Sequence, residues 1–254
     1  GFLRSAFGIS RLPDEKRVAV MPIECRGGSV EYRQSCEGML EYLVIELVDL
    51  DRFQERGGIA VVPASDARAT GRVPADAIRK RLGATLAVEV TAERVGDRID
   101  YVVSVIDTTL HKVIRGDRGT LATGEGSLLD RILTKVVELL EVALTDDAQA
   151  ALRSGGTSSA EASALFAQGL RVMPYQTAQT KLERHDQQTS LEQAIELFNR
   201  AIELDPSYAY AHASLGEAYL RLYRLTRNTE HFRLAEAHCE RALALDQLVG
   251  QAWQ

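Results

Sequence analysis

The sequence predicts an α+β chain in two parts. An N-terminal mixed β-sheet with packed helices, in the order β-α-β-α-β-β-β-α, precedes an all-α array of helix pairs. Three observations predict this. Before residue 150, short apolar runs rich in β-branched residues (RVAVMPIE, GIAVVPA, TLAVEVTAERVGDRIDYVVSVID) alternate with segments of helical spacing. After residue 160, apolar residues recur at spacings of three and four. Between these regions, RSGGTSS is rich in Gly and Ser and reads as a boundary. The division is therefore a sheet domain at 12–150, a linker at 151–160 and helix pairs at 161–254.

The sheet domain can be read element by element. KRVAVMPIE is a buried strand at 17–23, closed by Pro22 and followed by a loop at Gly27-Gly28. SCEGMLEYLVIELVDLDRF has helical spacing through Met39, Leu40, Leu43, Val44, Leu47 and Leu50. GIAVVPA is a second strand, and Ser65-Asp66 after it reads as a cap for the next segment rather than a nucleophile. ADAIRKRLGA is a short helix ended by Gly83. Gly96-Asp97 marks a hairpin between two strands, and LHKVIRGDRGTLAT adds a third antiparallel strand. SLLDRILTKVVELLEVAL is a long amphipathic helix with Ser127 placed as its N-cap.

Composition excludes some classes. The chain has 254 residues, enough for two cores, with ordinary apolar (45%) and charged (26%) content. A net charge of −6 argues against nucleic acid as a partner. No apolar run approaches the roughly 18–20 residues of a membrane span. The initial GFLRSAFGISRLPDEK lacks a signal-peptide core. Cys25 and Cys36 are near enough in sequence to pair in an oxidising compartment, but three unpaired small apolar cysteines, Cys239 included, are the expectation.

The helical half repeats itself. Leu191, Ala194, Ile195, Phe198, Ala201, Ile202 and Leu204 lie on one helix face, stopped by Asp205-Pro206. The same grammar returns 41 residues later, with Ala194 matching Ala235, Phe198 matching Cys239 and Ala201 matching Ala242. His212, Leu215, Gly216 and Tyr219 fit the W-x2-L-G-x2-Y spacing of a tetratricopeptide unit, and Gly169 holds the Gly position of the unit before. This half resembles the tetratricopeptide repeat family. The usual repeat has about 34 residues, so the surplus is expected in longer helices or a longer turn within RLYRLTRNTEHF. A partner helix is expected from near Leu191, after an ordered excursion or extended helix in PYQTAQTKLERHDQQTS. Trp253 falls at the Trp position of a third unit, and a second copy of the chain (a homodimer) is expected to cover the 231–246 helix.

Taken in order, RVAVMPIE, SCEGMLEYLVIEL, IAVVPASDAR, IRKRLGATLAVEVTAERVGDRIDYVVSVID and the repeat half resemble the carboxyl-terminal region of bacterial membrane-bound serine/threonine protein kinases with tetratricopeptide repeats. The same arrangement occurs in some adenylate-cyclase-like and transcription-regulator-like proteins. The front domain is similar to the amino-terminal domain of the periplasmic translocation protein TolB. That resemblance implies an extracytoplasmic region that senses or scaffolds, with GFLRSAFGISR just after a span and the kinase domain outside this sequence.

No phosphate loop, His-Arg-Asp or Asp-Phe-Gly of a kinase occurs, so no catalytic residue and no cofactor are assigned and the sequence is not read as an enzyme. Gly124 and Gly126 read as a turn rather than a phosphate site. His231 and His238, two helical turns apart, are too far separated along the axis to share a metal ion. The expected partner is a protein or peptide segment in the concave groove of the repeats. The residues expected there are Phe166, Leu170 and Met173 from the first unit and Tyr210, Ala213, Glu217, Leu220 and Arg221 from the second.

Overall fold

The computed structural model describes residues 12–13, 15–51, 58–142, 156–173 and 181–246. Several sequence features lie outside the described residues: the GFLRSAFGISR stretch, positions 151–155 of the linker, positions 174–180 of the expected excursion, and Trp253. The chain divides into two compact units; among the described residues one holds the strands and the four helices up to Leu140, and the other the four helices from Ala160.

The first unit is built on a six-stranded mixed sheet: β1 Lys16–Val20, β2 Glu24–Gly27, β3 Ile59–Val61, β4 Leu86–Val95, β5 Arg98–Asp107 and β6 Lys112–Ala122. The order is β3-β1-β4-β5-β6, with β2 also on β4. β1 and β2 pair in line along the same strand, both parallel to it. Val20 pairs with Val88 and Glu24 with Thr91, so four steps on one side answer three on the other. One extra residue is accommodated at Met21-Pro22-Ile23, where Pro22 has no N–H to give the ladder. The strand expected at 17–23 therefore ends at Val20 and a second strand follows it, while of the expected Gly27-Gly28 loop Gly27 ends β2 and Gly28 lies just beyond it.

Strands β1, β3 and β4 are parallel to one another, and Val18, Ala19, Val20 and Met21 are all fully buried. A parallel strand covered on both faces explains the unbroken apolar run VAVM. β5 and β6 are antiparallel and show water one face, with Val102 and Val113 exposed while Tyr101, Val103 and Val105 are buried.

The helices are α1 Val30–Asp51, α2 Ala64–Thr70, α3 Ala75–Leu82 and α4 Leu128–Leu140. Ile78 and Leu82 of α3 join Ala19, Met21, Val62, Ala84 and Ala87 in one apolar cluster. α4 packs on β5, β6 and α1, and Tyr42 donates to Asp130 at 2.7 Å between the two helices. The last turn of α4 carries no basic residue of its own. Lys16 and Arg115 reach it instead, donating to the Leu140 and Leu139 carbonyls at 3.0 and 3.3 Å and opposing the negative end of the helix dipole. Ser65 and Asp66, expected as a cap, lie inside α2, whose N-cap is Pro63 without a side-chain capping bond.

The second unit contains α5 Ala160–Val172, α6 Lys181–Leu204, α7 Ala209–Thr226 and α8 Thr229–Leu245. α6 starts at Lys181 rather than near Leu191, so an extended helix takes up much of the expected excursion. Arg227 turns the chain with φ 59°, and Asn228 accepts from the Glu230 amide at 3.0 Å to start α8. Two residues make this turn, so the surplus of the 41-residue spacing has gone into helix length. The α6–α7 corner is held by Asp205, which accepts from the Ser207 amide and hydroxyl at 3.0 and 2.6 Å and from Thr157. Burial pushes the Asp205 carboxyl up, but the Ser207 and Thr157 hydrogen bonds outweigh it and hold the group below its ordinary value. Across this corner Phe166 meets Phe198 and Tyr208, with ring centroids 5.7 and 5.0 Å apart.

Cys25 and Cys36 are joined by a disulfide, which corrects the expectation of three unpaired cysteines. The cause is β2: once 24–27 pairs with β4, Cys25 sits beside the second turn of α1 with Cα atoms 6.3 Å apart. Cys239 is free. The loop closed by the bridge is short, so its removal in Cys25→Ser/Cys36→Ser is expected to cost about 3 kcal/mol or somewhat less. Urea unfolding of that variant against the parent checks this. A thiol titration of the unfolded, unreduced chain is expected to find Cys239 alone reactive.

Candidate interaction groove

The repeat half carries a groove of about 270 Å³ between α7 and α8. Ala213, Gly216, Glu217 and Leu220 form one wall and Phe232, Ala235, Glu236 and Cys239 the other. Each wall is a stripe spaced three, four and seven residues apart, the surface that a helix presents to a single neighbour. Gly216 lets the walls approach: a Cβ there would lie 2.6 Å from Cys239 Sγ and 3.2 Å from the Ala235 carbonyl. Gly169 does the same in the first pair, where a Cβ would overlap the Phe198 ring. Phe232 is 48% exposed at the groove mouth, its ring 5.4 Å from that of Tyr223.

The two pairs differ at equivalent positions. Aligning Gly169 with Gly216 and Ala194 with Ala235 matches Phe166, Leu170, Met173, Leu191, Ile195 and Phe198 to Ala213, Glu217, Leu220, Phe232, Glu236 and Cys239. All six residues of the first pair are buried. α7 packs on α6, and the ring of its N-cap Tyr208 meets that of Phe166 at a tilt. In the second pair the same stripe is an open groove, and an acidic residue has replaced an apolar one on each wall.

This sorts the residues expected in the concave groove. Phe166, Leu170 and Met173 are buried packing residues of the helical unit, a correction that follows from their burial and from the tilted ring contacts that Phe166 makes with Phe198 and Tyr208. Ala213 is buried at the groove floor, and Glu217 and Leu220 line the wall with partial exposure. Arg221 lies outside the lining and donates to Glu217 at 2.6 Å, one helical turn away. Tyr210 is half-buried and packs on the cluster of Ala209, Ala213 and Ala242. The α8 wall was missed from sequence, although the 41-residue match of Ala194 to Ala235 marks Phe232, Glu236 and Cys239 as its equivalents. Burial pushes the Cys239 thiol up, and Glu217 adds to the effect, so the thiol at the floor stays protonated and unreactive.

The sheet unit has a second concavity of about 450 Å³, lined by Arg26, Glu93, Asp100, Tyr101, Arg118 and Thr120 among others. Its walls mix both signs of charge. Among the described residues no three His, Cys, Asp or Glu side chains converge as metal ligands, and no helix is long and apolar enough to cross a membrane.

Comparison with known proteins fits the helical unit. A family model described as a TPR repeat matches residues 187–222, which run from α6 into α7. A protein described as "Putative adenylate cyclase 3" from Rhizobium meliloti (strain 1021) is 25% identical over 210 residues, 81% of this chain. The chain spans about one third of that relative's length, 33%. Among solved structures, lipoprotein GNA1162 from Neisseria meningitidis aligns over 51% of this chain and 99% of its own, at 17% identity and a TM-score of 0.35. The PelC dodecamer from Paraburkholderia phytofirmans aligns over 52% of this chain and 91% of its own, at 18% identity and a TM-score of 0.32.

Because Gly216 meets Cys239, Gly216→Val is expected to destabilise the helical unit by about 1–3 kcal/mol through overpacking. Adding Cys239→Ala is expected to return part of that loss. A double-mutant cycle in denaturant measures the coupling, and strict additivity would mean that the approach is not made at this pair.

Proposed function

We propose that this chain is a non-catalytic, extracytoplasmic scaffold or sensor region of a larger bacterial signalling protein, and that it binds a helical segment of a protein partner through the α7–α8 groove. The observation that carries the binding reading is the pair of acidic substitutions. Where the first pair has Leu170 and Ile195, both buried, the second has Glu217 and Glu236 on opposite walls. Glu217 is matched by Arg221, whereas Glu236 is exposed. A segment suited to this groove therefore has an apolar stripe for Leu220, Phe232 and Ala235 and a cationic flank toward Glu236.

The disulfide supports the location, because such bonds persist in oxidising compartments outside the cytoplasm. The relative supports an accessory role, since the stretch alike in sequence is a third of a protein described as a cyclase. The catalytic part is then a nucleotide cyclase on that likeness, or a serine/threonine kinase on the sequence resemblance. A second reading, a small-molecule-sensing sheet unit, is favoured by the 450 Å³ cleft, whose lining includes Arg26, Arg118, Glu93 and Asp100.

Two synthetic amphipathic helices with the same leucine stripe, one flanked by Lys and one by Glu, test the groove in a fluorescence anisotropy titration. The Lys-flanked peptide is expected to bind about tenfold tighter, Glu236→Lys to remove that preference, and Leu220→Asp to weaken both. Equal binding of the two peptides sinks the reading. Self-association of the chain that excludes the peptide assigns the groove to a second copy instead. The pure chain is also expected to turn over no ATP in a phosphotransfer or cyclase assay, and turnover would refute the non-catalytic role.

A further inference from the structure

Behind the groove, α7 and α8 are joined by a row of four aromatic rings that the binding reading does not use. His212 stacks on His238 at 5.4 Å, His238 on Tyr219 at 5.9 Å, and Tyr219 on His231 at 6.3 Å. The first two rings also touch edge to edge, with Nδ1 of His212 3.1 Å from Nδ1 of His238. His212 is only 6% exposed and His238 is half-buried.

Hydrogen-bond chemistry assigns the protons. Nε2 of His212 lies 3.4 Å from the Pro206 carbonyl, which can only accept, so this nitrogen carries hydrogen. In neutral His212 the other nitrogen, Nδ1, is then a lone pair. It accepts from His238, whose Nδ1 carries hydrogen and whose Nε2 does not. One added proton is tolerated: it goes to Nε2 of His238 and leaves the shared hydrogen bond in place. A second proton has only the His212 Nδ1 lone pair to take. That would set N–H against N–H and cation against cation across 3.1 Å.

We propose that the His212–His238 pair is an acid-sensitive latch between α7 and α8, closed while at most one ring is charged and forced open when both are. The surroundings offer little to offset the second charge. From α7 the neighbouring titratable group is Tyr219; from α8 they are the Arg241 cation and, beyond Tyr219, His231; the α6–α7 corner contributes the Pro206 carbonyl. Among the described residues no carboxylate makes an ion pair with either ring. Burial lowers both imidazoles below their ordinary value; on His212 it outweighs the Pro206 carbonyl, which favours the charged ring, and Arg241 adds to it, while His212 adds to the effect on His238.

The direction of the pH effect follows. The unfolded rings take protons near 6.5 and the packed rings only at lower pH, so the open form binds more protons below about 6.5. The packing is fully stable above that value and weakens as pH falls. Each ring that gains its proton only on opening contributes up to about a tenfold rise in the opening constant per pH unit.

Hydrogen–deuterium exchange of the unaltered chain between pH 7.5 and 5.5, corrected for the intrinsic rate, reads this directly. The α7 and α8 amides are expected to open about tenfold or more readily at the lower pH, with α6 and the β4–β5 amides unchanged. NMR titration is expected to show two coupled steps for His212 and His238, both below the ordinary imidazole value. Ordinary, independent titration of the two rings, or an α7–α8 opening that ignores pH, would overturn the latch. His212→Gln keeps a side-chain acceptor for His238 but cannot charge, and it is expected to flatten the pH dependence, whereas His231→Gln is expected to preserve it. Equal slopes in the two variants would also refute the proposal. The exchange readout needs no peptide, so failure of the groove reading leaves it interpretable.

Discussion

A pair of helices buries only part of its apolar surface, and the face left over must be met by something else. The second unit is organised by that constraint. In the first pair the leftover face is covered from within the chain, where Phe166 packs on Phe198 and Tyr208 and the whole stripe is buried. In the second pair the same stripe is open along α7 and α8, and its composition has changed in step. Ala213 and Cys239 are smaller than their counterparts, and Glu217 and Glu236 are charged. The groove is the unmet face of a repeat, and its walls carry charge where the first pair is apolar.

The sheet unit was legible where a local signal and the tertiary role agreed. Gly96-Asp97 marked the β4–β5 turn, and the VAVM run marked a strand covered on both sides. It was less legible where pairing depended on a distant strand. Glu24–Gly27 has little strand character alone and becomes a strand because β4 is long enough to pair with both β1 and β2. The disulfide went unread for the same reason, since nothing in the spacing of Cys25 and Cys36 states that β2 will hold one beside a helix carrying the other. Two cysteines eleven positions apart fit a bridge and fit two separate burials equally well.

In the helical unit, periodicity identified the faces without saying which face remained exposed. Phe166, Leu170 and Met173 share a stripe, as Glu217 and Leu220 do, but only the structure shows that the first stripe is filled. The α8 wall could have been derived from the 41-residue match alone. The ring contact between His212 and His238 could not, because the two are 26 positions apart and meet only through the crossing of α7 on α8. Gly216 sits where both relations converge, and its missing side chain was the most reliable signal that the two helices approach closely.

The turn between α7 and α8 consists of Arg227 and Asn228, with one residue left-handed and the other capping, and it leaves no slack. Such a hairpin moves as two stiff arms on a pivot. His212 stands about 20 Å from that pivot along α7, at 1.5 Å per residue. A spread of about 1 Å at the ring pair then needs a rotation of only about 3°. Leu220 lies about half as far from the pivot as His212, so it shifts about half as much. The groove would therefore widen as a wedge, from the Ala213–Cys239 end first, while the Leu220–Phe232 end keeps its grip. An occupant would be peeled away from one end rather than expelled all at once.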